Sequence, residues 1–224
     1  MNEIGTSTRP IPMNRMIRST YIRADAPSIV KIIATEPECG QQAEGSGFVY
    51  APGHVLTNAH VVAGARSVSI VSDGTGASLG LGARVVLFDP NTDVAVLDVP
   101  GLARTSLAFH SPVAAGDPAE VVGYPQNGPF TPTGARVAAR DLITGPNIYS
   151  DATVTRRVYV LRATVRAGNS GGPLLAPNGK VDGVVFAAST TDPATGYALT
   201  AGQVIADARA GASAIRRVAT QSCT

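Results

Sequence analysis

The apolar residues of this sequence fall in short runs bounded by Gly, Pro, Asn or Asp, a pattern that predicts strands rather than helices. Six such runs span residues 28–35, 46–50, 55–57, 67–71, 83–88 and 94–99. Pro- and Gly-rich punctuation covers 100–118, and six more runs follow at 119–124, 135–141, 157–165, 172–175, 181–187 and 197–200. The two sets are similar in size, which predicts an all-β chain of two six-stranded antiparallel β-barrels with a cleft between them. Only the last stretch, about 201–217, carries helical spacing, through Val204, Ile205, Ala208 and Ile215. Residues 1–26 hold Pro10, Pro12, Arg15, Arg18 and Arg23 among Ser and Thr, and read as an arm or linker. The expected organisation is an arm at 1–26 and one domain at 27–224: a first barrel at about 27–110, a second at about 111–202 and a terminal helix at about 201–217.

Composition agrees with a packed fold. Hydrophobic residues make up 44% of the 224 positions and charged residues 15%, which excludes an intrinsically disordered chain. The 24 Gly and 16 Pro supply the turns that a dozen short strands need. A net charge of +2, with Arg156-Arg157 and Arg216-Arg217 scattered, argues against a nucleic-acid surface. No apolar run reaches the roughly 18 residues of a membrane span, and the first residues lack a signal-peptide pattern. Two cysteines, Cys39 and Cys223, stand far apart. They are either two free buried thiols or one disulfide closing nearly the whole chain. Cys223 lies next to the end, where an unpinned terminus would fray, and this favours the bond. Such a loop would contribute roughly 5 kcal/mol through chain entropy and implies an oxidising compartment.

Candidate chemistry begins at Gly168-Asn169-Ser170-Gly171-Gly172. A Gly-x-Ser-x-Gly motif also marks the α/β-hydrolases, but there the histidine follows the serine. Here His54, His60 and His110 all precede Ser170. The reverse order does fit: His60 in Thr57-Asn58-Ala59-His60-Val61-Val62, then Asp93 in Thr92-Asp93-Val94-Ala95-Val96-Leu97, then Ser170. That is the order of the chymotrypsin arrangement. Asp89, before Pro90, reads as a turn residue; Asp98 is expected to face out of its strand. His54 and His110 are expected to be structural or exposed. No metal site is expected, because the histidines lack ligand spacing with a carboxylate partner, and no cofactor is called for.

These three motifs resemble the trypsin-like serine proteases, most of all the bacterial HtrA-like branch, over about residues 28–205. Within that branch the chain is similar to the membrane-anchored acid-resistance serine proteases of the mycobacterial envelope. The resemblance implies a chymotrypsin-like fold and a serine endopeptidase acting through an acyl-enzyme on envelope proteins. It implies a periplasmic or extracytoplasmic site, with membrane attachment only through a segment outside this chain. His60 would be the base, Asp93 its orienting acid and Ser170 the nucleophile, with the N–H groups of Gly168 and Ser170 binding the oxyanion. The specificity pocket would have Thr164 as its floor and Phe186, Ala187, Ala188, Gly196, Tyr197 and Ala198 as its walls. None of these is acidic, so small or medium apolar side chains before the cut are expected and Lys or Arg disfavoured. Asn169 stands where digestive members carry an Asp that pairs with a freed N-terminus, so activation by insertion of a new terminus is not expected. The peptide-binding domain usual in that branch is not expected within this sequence, since few residues follow the predicted helix. Alternatives are an idle peptide-binding module on the same scaffold, or an esterase or amidase using the same triad.

Overall fold

The computed structural model describes residues 25–36, 40–72, 80–110 and 112–224. Most of the predicted arm, and Cys39, lie outside the described residues. Among the described residues twelve strands form, in the predicted order. The first six are β1 (Ile29–Glu36), β2 (Gln41–Ala51), β3 (His54–Thr57), β4 (Ser67–Val71), β5 (Leu81–Asp89) and β6 (Val94–Asp98). They pair antiparallel into a closed barrel in the order β1-β2-β3-β6-β5-β4. The second set is β7 (Pro118–Gly123), β8 (Thr131–Pro146), β9 (Thr153–Arg162), β10 (Pro173–Leu175), β11 (Val181–Ala188) and β12 (Thr195–Thr200). These close as β10-β11-β12-β9-β8-β7. Closure leaves neither sheet with an unpaired edge.

Each barrel has its own core of inward-facing residues. Val30, Ile32, Val49, Val55, Ile70 and Leu97 fill the first. Val121, Val137, Tyr159, Leu161, Leu174 and Val185 fill the second. A third cluster joins the barrels: Ile29, Phe48 and Leu56 from the first meet Val122, Tyr124, Val158 and Leu199 from the second. Phe109, from the connecting segment, packs edge-on to Phe48 with ring centroids 6.0 Å apart. This shared layer fixes the two barrels against each other, which a site built from both requires.

Helix α1 (Ala201–Gly211) covers that layer with Val204 and Ala208. Thr200 caps it by accepting the Gln203 N–H at 3.1 Å. The helix stops at Gly211, short of the predicted 217. Gly211 lies so close to Val96 that a Cβ there would overlap its side chain, and the chain turns away with Ala214 N–H on the Gly211 carbonyl. Ile215, counted on the buried face by its spacing, is exposed. The tail then returns to the first barrel, where Val218 N–H donates to Val85 O and Gly64 N–H to Thr220 O.

Two further residues are placed by contacts of the first barrel with itself and with the tail. Asp98 is buried, not outward, because Arg84 sits directly opposite it on β5 and its Nε donates to Asp98 at 3.0 Å. His54 is structural: its ring nitrogens lie 2.9 Å from the Pro52 and Ala214 carbonyls.

Glu120 of β7 is buried, and among the described residues its Oε2 has no hydrogen-bond partner. Burial pushes its pKa up to about 7. The folded value lies above the unfolded one, so the stability it contributes is complete in acid and is lost as pH rises through about 7. Thermal melts should therefore show wild type losing stability between about pH 5 and pH 8 more steeply than Glu120→Gln, the two converging at the acid end. Parallel curves would reject this account.

Candidate active site

The loop after β3 carries His60 to the barrel rim. Asn58, fully buried there, donates its Nδ2 to the Asp93 carbonyl at 2.8 Å. Asp93 closes the turn before β6. Asp89 shapes that turn by accepting the N–H groups of Asn91 at 2.8 Å and Thr92 at 3.2 Å, the role its place before Pro90 predicts. Asp93 N–H then returns to Asp89 O at 3.0 Å. The cost is a left-handed backbone at Asp93, φ 65°, a strain that proteins keep where geometry demands it. The carboxylate meets His60 twice: Oδ2 lies 2.8 Å from Nδ1, and Oδ1 accepts the His60 backbone N–H at 3.0 Å. The aspartate side chain is 5% exposed and the imidazole 30%, so the acid is sealed behind the ring while the ring keeps an open edge.

Opposing effects set the His60 pKa. Burial pushes it down, the charge and hydrogen bond of Asp93 push it up more strongly, and Arg156 takes part of that back; the outcome is a raised pKa. Arg156 reaches from β9 of the second barrel, its Nε donating to Asn91 O at 2.7 Å in the turn that presents Asp93. Asn147 braces the same turn through Asn91 Oδ1 at 3.0 Å. Neither residue stood out in the sequence.

Ser170 enters from the second barrel, in the turn between β9 and β10. Asn169 N–H bonds to Arg166 O and Gly172 N–H to Asn169 O, each at 3.0 Å. Gly171, at φ 82°, lies against Ser46 O and Thr57 Oγ1, where any side chain would collide. This presses Ser170 onto β2: its carbonyl accepts Ser46 N–H at 2.8 Å. A Cβ placed on Gly45 would meet both that carbonyl and Val61, the neighbour of His60. The fold thus brings the predicted histidine, aspartate and serine to one seam between the barrels.

The candidate oxyanion donors are oriented as well. Ala167 O accepts Gln126 N–H at 2.7 Å. In a trans peptide the carbonyl and the following N–H point in opposite directions. Gly168 N–H therefore points away from Gln126. Among the described residues, neither it nor Ser170 N–H has an acceptor. Gly168 O is held by the Ser46 hydroxyl at 2.6 Å, which also accepts Tyr124 N–H at 2.9 Å. Ser46 is the main residue that the motifs missed. Its one sequence signal is a serine between two glycines, Gly45 and Gly47, inside an apolar run.

Six of the predicted pocket residues lie on β11 and β12. β11 and β12 pair Ala187 with Tyr197 and Ala188 with Gly196. The Phe186 and Tyr197 rings sit 6.5 Å apart. Val165, next to the proposed floor at Thr164, fills the space over Gly196. Ala198 departs from expectation: it is fully buried, and its methyl group belongs to the second barrel's core. His110 pairs with buried Asp182 at 2.8 Å, tying the connecting segment to β11. Among the described residues no three His, Cys, Asp or Glu side chains gather into a metal site. Asn169 is neutral and buried, and among the described residues its Oδ1 has no hydrogen-bond partner.

The chain is similar to known proteins. Residues 45–184 match the trypsin-like peptidase domain. Serine protease Rv3671c of Mycobacterium tuberculosis is 43% identical over 214 residues, covering 95% of this chain and 53% of that protein. The crystal structure of Rv3671c protease in its active form superposes with a TM-score of 0.89 at 41% identity, covering 100% of this chain and 99% of that one. A probable periplasmic serine endoprotease, DegP-like, of Bartonella henselae is 33% identical over 205 residues, 87% of this chain and 38% of its own length. The chain spans about half the length of the first of these relatives, or less. Two closed barrels, a histidine–aspartate pair on one and a glycine-framed serine on the other coincide with these matches, and the chain belongs to the trypsin-like peptidase family.

Proposed function

We propose that this chain is a serine endopeptidase in which His60, Asp93 and Ser170 form the catalytic triad. The observation that carries the reading is the His60–Asp93 contact at 2.8 Å, sealed on the aspartate side and open at the imidazole edge, together with a glycine-framed serine whose carbonyl is bound to β2 across the seam. A serine hydroxyl needs an adjacent base at neutral pH. Ser170 Oγ attacks the substrate carbonyl while His60 Nε2 takes its proton. Asp93 holds the imidazole tautomer through Nδ1–H and stabilises the imidazolium. The N–H groups of Gly168 and Ser170 receive the oxyanion. His60 then returns the proton to the leaving amine, which departs and leaves the acyl group on Ser170. Water, activated by the same histidine, releases the acid.

The substrates are proteins or peptides, with a small or medium apolar residue before the cut; the uncharged pocket supports this. The catalytic domain runs from about 27 to 224. The resemblance to a probable periplasmic endoprotease supports an extracytoplasmic location. Among the described residues no helix is long and apolar enough to cross a membrane. Cys223 is not a free thiol and packs against Gly64. Pairing it with Cys39 would tie the tail that follows α1 to the first barrel.

A fluorophosphonate probe should label Ser170 in wild type and fail on Ser170→Ala, and the same substitution should lower kcat on a peptide amide by at least about 10⁴-fold. Labelling without turnover of any peptide or ester would leave an idle scaffold, and turnover of esters alone an esterase. A peptide-library profile dominated by Arg or Lys before the cut would refute the pocket assignment.

The pH dependence follows from His60. Its pKa is raised, so kcat/KM should decline with acid through a midpoint above the ordinary value of about 6.5. Arg156 works against that rise, so Arg156→Met should move the midpoint to still higher pH. An unmoved midpoint would remove Arg156 from the account.

A further inference from the structure

We infer that Lys31, on β1 of the first barrel, is a positioning residue for the oxyanion hole: it clamps the 124–127 turn whose Gln126 N–H fixes the Ala167–Gly168 peptide. The inference rests on the serine-protease reading and adds to it a residue outside the triad, the pocket and the glycine turn.

The chain of contacts is short. Gly168 N–H faces the cleft only while Ala167 O is held by Gln126 N–H at 2.7 Å. A half-turn of that peptide would swing the N–H out of the site, and the glycine at φ 90° offers little resistance to such a turn. Gln126 must therefore stay in place, yet its own backbone is left-handed (φ 54°, ψ 40°), as is that of Asn127 (φ 55°). Two consecutive non-glycine residues in that region are unfavourable, so the turn needs an outside hold.

Lys31 supplies it. Its Nζ donates to Asn127 O at 2.9 Å and to Asn127 Oδ1 at 3.0 Å. The same ammonium lies 5.5 Å from the centre of the Tyr124 ring, within cation–π range. Tyr124 is itself anchored to β1, its hydroxyl donating to Ile29 O at 3.1 Å. In the β1–β2 register Lys31 stands directly opposite Ser46. The two cross-strand neighbours thus hold the two sides of the oxyanion peptide: Ser46 takes Gly168 O, and Lys31 steadies the turn that takes Ala167 O. The first barrel, which carries the base, in this way also sets the donor on the second.

The test compares wild type, Lys31→Met and Lys31→Arg on a peptide substrate, with two inhibitors of the same peptide sequence. One is a peptide aldehyde, whose hemiacetal with the serine places an oxygen on the oxyanion donors. The other is the corresponding alcohol, which has no carbonyl for the serine to add to and so forms no hemiacetal. Lys31→Met should lose about tenfold in kcat, a fraction of what removing a whole donor costs. KM and alcohol affinity should stay within about twofold, and aldehyde affinity should fall with kcat. Lys31→Arg should keep most of the activity, since it restores a cation with several donors. Unchanged kcat in a folded Lys31→Met protein, or an equal loss of alcohol and aldehyde binding, would overturn the inference. Should Lys31→Met fail to fold, Asn127→Ala, which removes one of the two acceptors, carries the same expectation at about threefold. Ser170→Ala is run alongside: if it retained full turnover, the protease reading itself would fall, whatever Lys31→Met did.

Discussion

The buried hydroxyl of Ser46 is the contact on which the geometry of the site depends. It donates to Gly168 O at 2.6 Å and accepts Tyr124 N–H at 2.9 Å, while the backbone N–H of the same residue holds Ser170 O. The proposed base and acid, His60 and Asp93, stand on one barrel and the proposed nucleophile and oxyanion donors on the other, so their relative placement is only as good as the contacts crossing the seam. The apolar layer of Phe48, Leu56, Tyr124 and Val158 supplies adhesion but little direction, because hydrophobic burial is not directional. Direction comes from the few hydrogen bonds embedded in it, and burial makes each costly to leave unmade.

The acid side of the site follows the same logic. Asp93 is aimed by a turn that Asp89 organises from within the first barrel and that Arg156 and Asn147 brace from the second. Arg156 therefore acts twice, by holding Asn91 O and by placing a positive charge that opposes protonation of His60. The hairpin of β8 and β9 is long because it must reach that turn. Its two strands remain paired out to Pro146 opposite Thr153.

What the sequence disclosed, and what it hid, divides along physical lines. All twelve strands were legible because burying one face imposes alternation and because Gly and Pro punctuate the turns. The outer part of the hairpin was not: predicted at 135–141 and 157–165, it spans Thr131–Pro146 and Thr153–Arg162. Beyond the barrel, Leu142 and Ile143 are exposed, so no alternation is written there. His60, Asp93 and Ser170 stood out because their chemistry admits few residue types. Ser46, Lys31 and Arg156 did not, since each works on a backbone carbonyl that the fold brings from 65 to 122 residues away. Asp98 misled because its partner, Arg84, is visible only once the β5–β6 register is known.

Acid pulls the two properties of this molecule in opposite directions. Glu120, with a pKa of about 7, and Asp207, with one of about 6, are both raised by burial, so the folded form binds their protons more readily than the unfolded chain. His60, raised by Asp93, does the same. Each of these groups adds stability as pH falls toward its unfolded value. In the proposed mechanism, however, protonation of His60 removes the base. Mild acid therefore favours a chain that is well folded and catalytically quiet, and a return toward neutrality restores the base while giving up part of that stability. The strain at Asp93, Gln126 and Asn127 fits this balance: a site held in unfavourable backbone conformations depends on the surrounding fold to keep it assembled.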